Sequence, residues 1–240
     1  MNIGFYSAKT GLLTMQQGID VVSNNMANIQ TNGYKEIRTN FSDLLYTVEK
    51  AQYEEAQTGH GVKVTKTDLM YKNGQLIMTN RELDFVCPTG GFFAVSNSSG
   101  DIKYTRDGSF YLSNNGNGEW GIVTADGSAV LDYDKQKITI TANEDGVLDG
   151  TEVFEKLGVF SFTNPYGLEA AGGNKYRQTE SSGEATANED LDKLSGALEL
   201  STVNIAEQLV KMIQLQRSFQ LNAKMIQTSD EIENIVNNLR

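Results

Sequence analysis

The sequence predicts an α+β protein in which long N- and C-terminal helices pair as a coiled coil, with a mostly antiparallel β central domain between them. Three observations carry this reading. The first thirty residues hold an unbroken heptad seam, the last forty or so repeat a three-four register, and the stretch between them is punctuated by Gly, Asn and Asp.

Phe5, Ala8, Leu12, Met15, Ile19, Val22, Met26 and Ile29 follow one another at alternating spacings of three and four. This places them on one stripe of a helix, about 36 Å long for some 24 residues. Gly11 and Gly18 lie one heptad apart and off that stripe. Each costs about 1 kcal/mol against Ala in a lone helix, so a close neighbouring backbone is the expected reason for them.

The helix gives way to NNMANIQTNGYK, residues 24–35. Asparagine amides compete for backbone hydrogen bonds, and Asn32-Gly33 suits a left-handed exit. Asn24, Asn25, Asn28, Thr31, Gly33, Tyr34 and Lys35 are therefore read as a hinge motif joining the axial helix to an outer domain. Asn24, Asn25 and Asn28 fall beside the seam, where their amides can bridge to adjacent helices or to the chain's own carbonyls. Replacing Asn28 and Gly33 by Ala is expected to impair assembly more than folding of the β domain.

Residues 31–80 form a connector, with a short helix or packed extended arm near Phe41, Leu44 and Leu45 and a strand at VKVTKTDLMY. Residues 81–190 form the β-rich outer domain. Segments such as GFFAVSN, IKYTRDGSFYLSN and KLGVFSFTN alternate with period two, and turns are marked by Asn114-Asn115-Gly116, Asp126-Gly127 and Asp145-Gly146. Residues 191–240 contain the second axial helix, for which Asn204 with Glu207 offers a capping-box-like start. Its register runs through Leu198, Ile205, Leu209, Met212, Phe219, Ala223 and Ile226, and a shifted stripe continues through Ile232, Val236 and Leu239. With residues 1–30 as the N-terminal axial helix, each chain end offers a seam too long to bury on the intervening domain. Such seams are expected to pair with each other and with the same helices of other subunits.

Composition narrows the function. A formal charge of -11 repels phosphate backbones and anionic lipid alike, so neither nucleic acid nor membrane insertion is expected. No stretch approaches the roughly 18 apolar residues of a membrane span, and the N-terminal segment lacks the apolar run of a cleaved leader. One cysteine, Cys87, and one histidine, His60, exclude an intrachain disulfide and any transition-metal cluster. Cys87 is expected to be buried and inert. Residues 141–152 carry part of an EF-hand spacing (Asn143, Asp145, Gly146, Glu152), but Thr141 replaces the first carboxylate and the flanks read as strands, so a β-turn is the better account. Thr89-Gly90-Gly91 lacks the lysine of a phosphate loop. No enzyme activity, catalytic residue, metal or cofactor is expected.

Three separated motifs then carry a resemblance. NNMANIQTNGYK with TNFSDLLY, TGHGVKV with GQLIMTNRELDFVCPTGGFFAV and IKYTRDGSFYLSNNG, and LEAAGGNKYRQTESSG with the run from GALELSTVNIAEQL to ENIVNNL occur in the order seen in bacterial flagellar rod and hook proteins. The chain resembles that family over nearly its whole length. Its layout is most like that of distal rod proteins, with proximal rod proteins next. Cys87-Pro88-Thr89 departs from the family pattern, which has an apolar residue and a glycine there, and the connector TVEKAQYEEAQTGHG is short for a distal member.

The resemblance implies a structural subunit of the basal-body rod, exported unfolded without cleavage through the flagellar type III apparatus. It also implies a helical homopolymer that contacts neighbouring rod and hook subunits and transmits torque between motor and hook. Phe5, Leu12, Met15, Ile19, Val22, Met26, Ile29, Ile205, Leu209, Met212, Phe219 and Ile226 are the expected assembly seam. The alternative is a soluble adhesin-like binding module whose terminal helices close into a coiled coil of fixed stoichiometry.

Overall fold

The computed structural model describes residues 3–50, 55–116, 119–141, 150–188 and 192–239. The residues weighed as a calcium loop fall mostly at 142–149 and lie, with the Asp145-Gly146 turn, outside the described residues. The fold is α+β, with helices at both ends and a β-rich middle in which every described strand pairing is antiparallel.

The chain divides into two compact units. Unit 1 is Met1–Ala27, Ile37–Met70 and Val203–Arg240, and unit 2 is Asn28–Glu36 with Tyr71–Thr202.

In unit 1, helix α1 spans Ile3–Ala27, a little short of the thirty residues expected. Two consecutive turns follow, with the Thr31 amide donating to the Asn28 carbonyl and the Tyr34 amide to that of Thr31. Only Gly33, at φ 65°, takes the left-handed conformation expected of the Asn32-Gly33 exit. Of the two forms expected near Phe41 to Leu45 the chain takes the extended one, and VKVTKTDLMY holds the expected strand. Ile37–Asp43 and Val62–Leu69 form an antiparallel ribbon with a bulge at Asn40/Phe41, and Tyr46–Lys50 pairs with Glu55–Gly59 beyond it. Alternation of Ile37, Thr39 and Phe41 with polar neighbours suits a half-buried strand, and this period prevails over helix formation. The C-terminal helix spans Ile205–Asn238, with the Asn204 side chain accepting from the Ala206 amide as its N-cap.

Unit 2 is built on a 10-stranded sheet. Its centre is Phe92–Ser96, all five residues of which are buried. That strand pairs with Ile102–Thr105 along one edge, and with both Val159–Ser161 and Ala129–Val130 along the other. Alternation sends Phe93 and Val95 into a core with Phe85, Phe110, Ile122, Val130, Ile140 and Leu157. Phe92 turns the other way into a cluster of edge-on rings with Phe162, Tyr176 and Tyr71. Both sheet faces are therefore covered. The short helix Gly150–Lys156 (α2, so that the C-terminal helix is α3) closes the first core with Val153. Asp126-Gly127 forms the expected hairpin turn, with Gly127 at φ 80° and the Thr124 amide donating to Ser128.

Candidate functional site

Two sets of residues give the chain ends their geometry, one in each unit. In unit 1, α1 and α3 run antiparallel and meet through small and polar residues. A Cβ added at Gly11 would stand 2.8 Å from the Asn222 amide, and one at Gly18 would stand 3.1 Å from Leu215 and 3.3 Å from Phe41. Asn25 donates to the Gln208 side chain at 3.3 Å. These three levels step by seven along both helices in opposite directions, so the register is continuous.

Side chains rather than backbone fill the space left by the two glycines, which differs from the close backbone approach expected. The residues of α1 most deeply covered are Ala8, Gly11, Thr14, Gly18, Val22 and Asn25. Of the expected seam, Val22 is buried, while Phe5, Leu12, Met15, Ile19, Met26 and Ile29 are half-buried. On α3, Met212, Phe219 and Ile226 are half-buried, and Ile205 and Leu209 are exposed. Leu198 lies in a strand before the helix.

Asn25 links this interface to the ribbon. Its Nδ2 donates to the Ile37 carbonyl at 2.8 Å and its Oδ1 accepts from the Ile37 amide at 3.0 Å. The side chain thus satisfies both backbone groups of the first ribbon residue, as a paired strand would, while also reaching Gln208. Thr14 ties the ribbon's other arm by donating to the Val62 carbonyl at 3.1 Å.

In unit 2 Lys35 of the hinge motif enters a buried ionic knot, with Gly33 and Tyr34 bonded beside it. Lys35 is fully buried, and its Nζ donates at 2.6 Å both to Glu199 Oε1 and to the Lys72 carbonyl. The same carboxylate oxygen accepts from the Gly74 amide at 2.6 Å, and Oε2 stands 3.5 Å from the Arg106 guanidinium. Gly33 donates to the Glu199 carbonyl at 2.7 Å, and Thr202 donates its amide to the Tyr34 carbonyl. Thr31 donates its hydroxyl to the Asn28 side chain, and Asn24 is exposed on α1.

Two buried cations therefore face one carboxylate. Burial pulls the Lys35 ammonium below its ordinary pKa, helped by Arg106 and opposed by Glu199. Burial lowers Arg106 as well, against the pull of Glu199. Arg106 lies over the Phe92 ring, 4.6 Å from its centroid, which gives the second cation a partner face. The Tyr34 phenol is pushed up to about 12, by burial first and then by Glu36.

Lys35 was visible in the sequence as part of the hinge motif, whereas Glu199, Arg106 and Gln208 were not. The only trace of Glu199 is a single acid inside the apolar run Ala197 to Leu200. Among the described residues no group of His, Cys, Asp and Glu is arranged to hold a metal ion. Cys87 is buried, its sulfur accepting from the Gly91 amide.

These elements coincide with the segments that match known proteins. Residues 5–35 match the family described as flagella basal body rod protein, residues 89–153 the flagellar hook protein FlgE/F/G D1 domain, and residues 194–239 the flagellar basal body rod FlgEFG protein C-terminal region. The flagellar basal-body rod protein FlgG of Borreliella burgdorferi is 34% identical, over 98% of this chain and 97% of its own length. FlgG of Bacillus subtilis is 33% identical over 98% of both chains, and the flagellar hook-basal body complex protein FlhP of the same organism is 31% identical over 98% of both. The alternative of an adhesin-like module finds no support in these matches. The chain belongs to the flagellar basal-body rod protein family, as a structural subunit of the rod in the flagellar basal body.

Proposed function

We propose that this subunit polymerises helically through α1 and α3, the pair acting as a coiled coil, to form part of the shaft that carries torque from motor to hook. Neighbouring rod and hook subunits extend the same array, unit 2 adds contacts between subunits, and the chain reaches its place unfolded through the flagellar type III export apparatus. One observation carries this reading. Helix α3 presents a second apolar stripe, Val210, Ile213, Leu221, Met225, Ile232 and Val236, that α1 leaves more than half exposed. A stripe of that length in water marks an interaction surface. Contacts between unlike faces repeat without closing and so generate an open helix.

The test is complementation of a strain lacking this subunit with the Leu221→Asp, Met225→Asp double variant. Both side chains are more than half exposed, so the purified variant should keep wild-type circular dichroism. Electron microscopy should nevertheless show basal bodies arrested without a completed rod. Normal basal bodies and normal motility would remove the stripe from the assembly surface.

A further inference from the structure

The antiparallel register within unit 1 places Ile3, the first described residue of α1, level with Asp230. Helix α3 continues past that level to Asn238, about 12 Å at 1.5 Å per residue. On this projecting segment Ile232, Ile235, Val236 and Leu239 fall on one face at spacings of three and four, and each is more than half exposed, Leu239 by 83%. Asp230, Glu231 and Glu233 flank that face.

The same unit contains a groove of about 600 Å³ between α1, α3 and the strand Ile37–Asp43. Its apolar lining includes Gly18, Val22 and Leu215, and its charged lining is Arg38 and Lys211, both cationic. An apolar face bordered by carboxylates and an apolar groove bordered by cations complement each other in polarity and in charge sign.

We propose that the projecting end of α3, Asp230 to Leu239, seats in this groove on a second copy of the chain. The inference deepens the polymerisation reading above and rests on it, naming the two surfaces that meet. Because tail and groove are different surfaces of one subunit, each copy uses both, and the contact propagates head to tail.

A disulfide test follows from the geometry. Val236 lies 21 residues along α3 from Leu215 in the groove, which is about 30 Å of helix. A disulfide requires Cα atoms within about 7 Å, so Cys at position 236 cannot reach Cys in the groove of its own chain. The full-length Val236→Cys, Thr39→Cys variant, expressed in a strain lacking the subunit, should give a reductant-sensitive ladder of dimers and higher species after mild oxidation of basal bodies. Neither single variant should give that ladder. Assembled basal bodies that yield only monomer would overturn the inference and leave the polymerisation reading standing.

If the double-cysteine variant fails to assemble, charge exchange decides. Lys211→Glu and Glu233→Lys should each reduce completed basal bodies about tenfold, and the two together should restore them. Wild-type assembly by both single variants, or no recovery in the pair, overturns the proposed contact. Failure of the wild-type chain itself to restore rods would instead strike at the polymerisation reading.

Discussion

At the level of single residues, the buried knot makes opposite substitutions unequal. With Lys35 and Arg106 facing Glu199, replacing the carboxylate leaves two buried cations, whereas replacing Lys35 leaves a balanced pair. Glu199→Gln should therefore cost about 3–5 kcal/mol of unit 2 stability in chemical denaturation. Lys35→Met should cost about 1–2 kcal/mol, because it leaves only the Lys72 carbonyl without its donor. Equal losses would mean that packing rather than charge governs the site. Gly33 is bound to the same place. At φ 65° an added Cβ would lie 2.6 Å from the Arg106 backbone, so Gly33→Ala should unsettle unit 2 itself. Gly33 therefore contributes to unit 2 as well, and comparing rod assembly with unit 2 stability in the Asn28→Ala, Gly33→Ala variant measures which of the two suffers more. Asn25→Leu should leave both Ile37 backbone groups unpaired, costing about 1–3 kcal/mol, with the Ile37 amide exchanging faster by NMR. Sequence alone ranked the asparagines as bridging amides but had no means of naming Gln208 or Glu199. Their partners lie more than 160 residues away in the chain, and local spacing carries no such information.

At the level of elements, α1 has two faces that pattern reading weighs unequally. Large apolar residues at heptad spacing stand out, yet within one chain the deeper face is made of Ala8, Gly11, Thr14 and Gly18, because Leu215, Asn222 and Phe41 supply the bulk. Small residues give a weak hydrophobic signal, so this face was legible only through the paired glycines. The two glycines should respond differently. At Gly11 the obstructing atom is the end of the Asn222 side chain, which can turn aside, and Ala gains about 1 kcal/mol of helix propensity. Gly11→Ala is thus expected to be neutral or stabilising in thermal melts. Gly18→Leu meets Leu215 and Phe41 together and should cost about 1–3 kcal/mol. Helix ends were easier to read, since the Asn204 cap is a local arrangement. The ribbon after α1 was harder, because Phe41, Leu44 and Leu45 suit either a short helix or a strand until the partner Val62–Leu69 is known.

For the whole molecule, buried phenols set the alkaline limit of the fold. Tyr34, Tyr71, Tyr104 and Tyr176 all sit in unit 2 with pKa values raised above 10.0, chiefly by burial. The unfolded chain releases these protons first, so stability falls as pH climbs above 10. Lys35 acts in the opposite sense, since its lowered pKa favours the fold as pH approaches 10.5, but one ammonium opposes four phenols. Near-ultraviolet dichroism and tyrosine absorbance should therefore change together between about pH 10 and 12, with a shallower slope in Tyr71→Phe. Ionisation well ahead of unfolding would contradict this.

The division of the chain also orders events in time. Unit 2 is complete once Thr202 has emerged, whereas unit 1 draws on both ends and waits for Val203–Arg240. A chain delivered N-terminus first therefore carries α1 without its intrachain partner until the last segment arrives. A stop codon placed between Thr202 and Gln208 should leave a folded β unit and remove every level at which α3 meets α1, so under the proposed assembly the surfaces that meet other subunits are completed by the last segment to arrive.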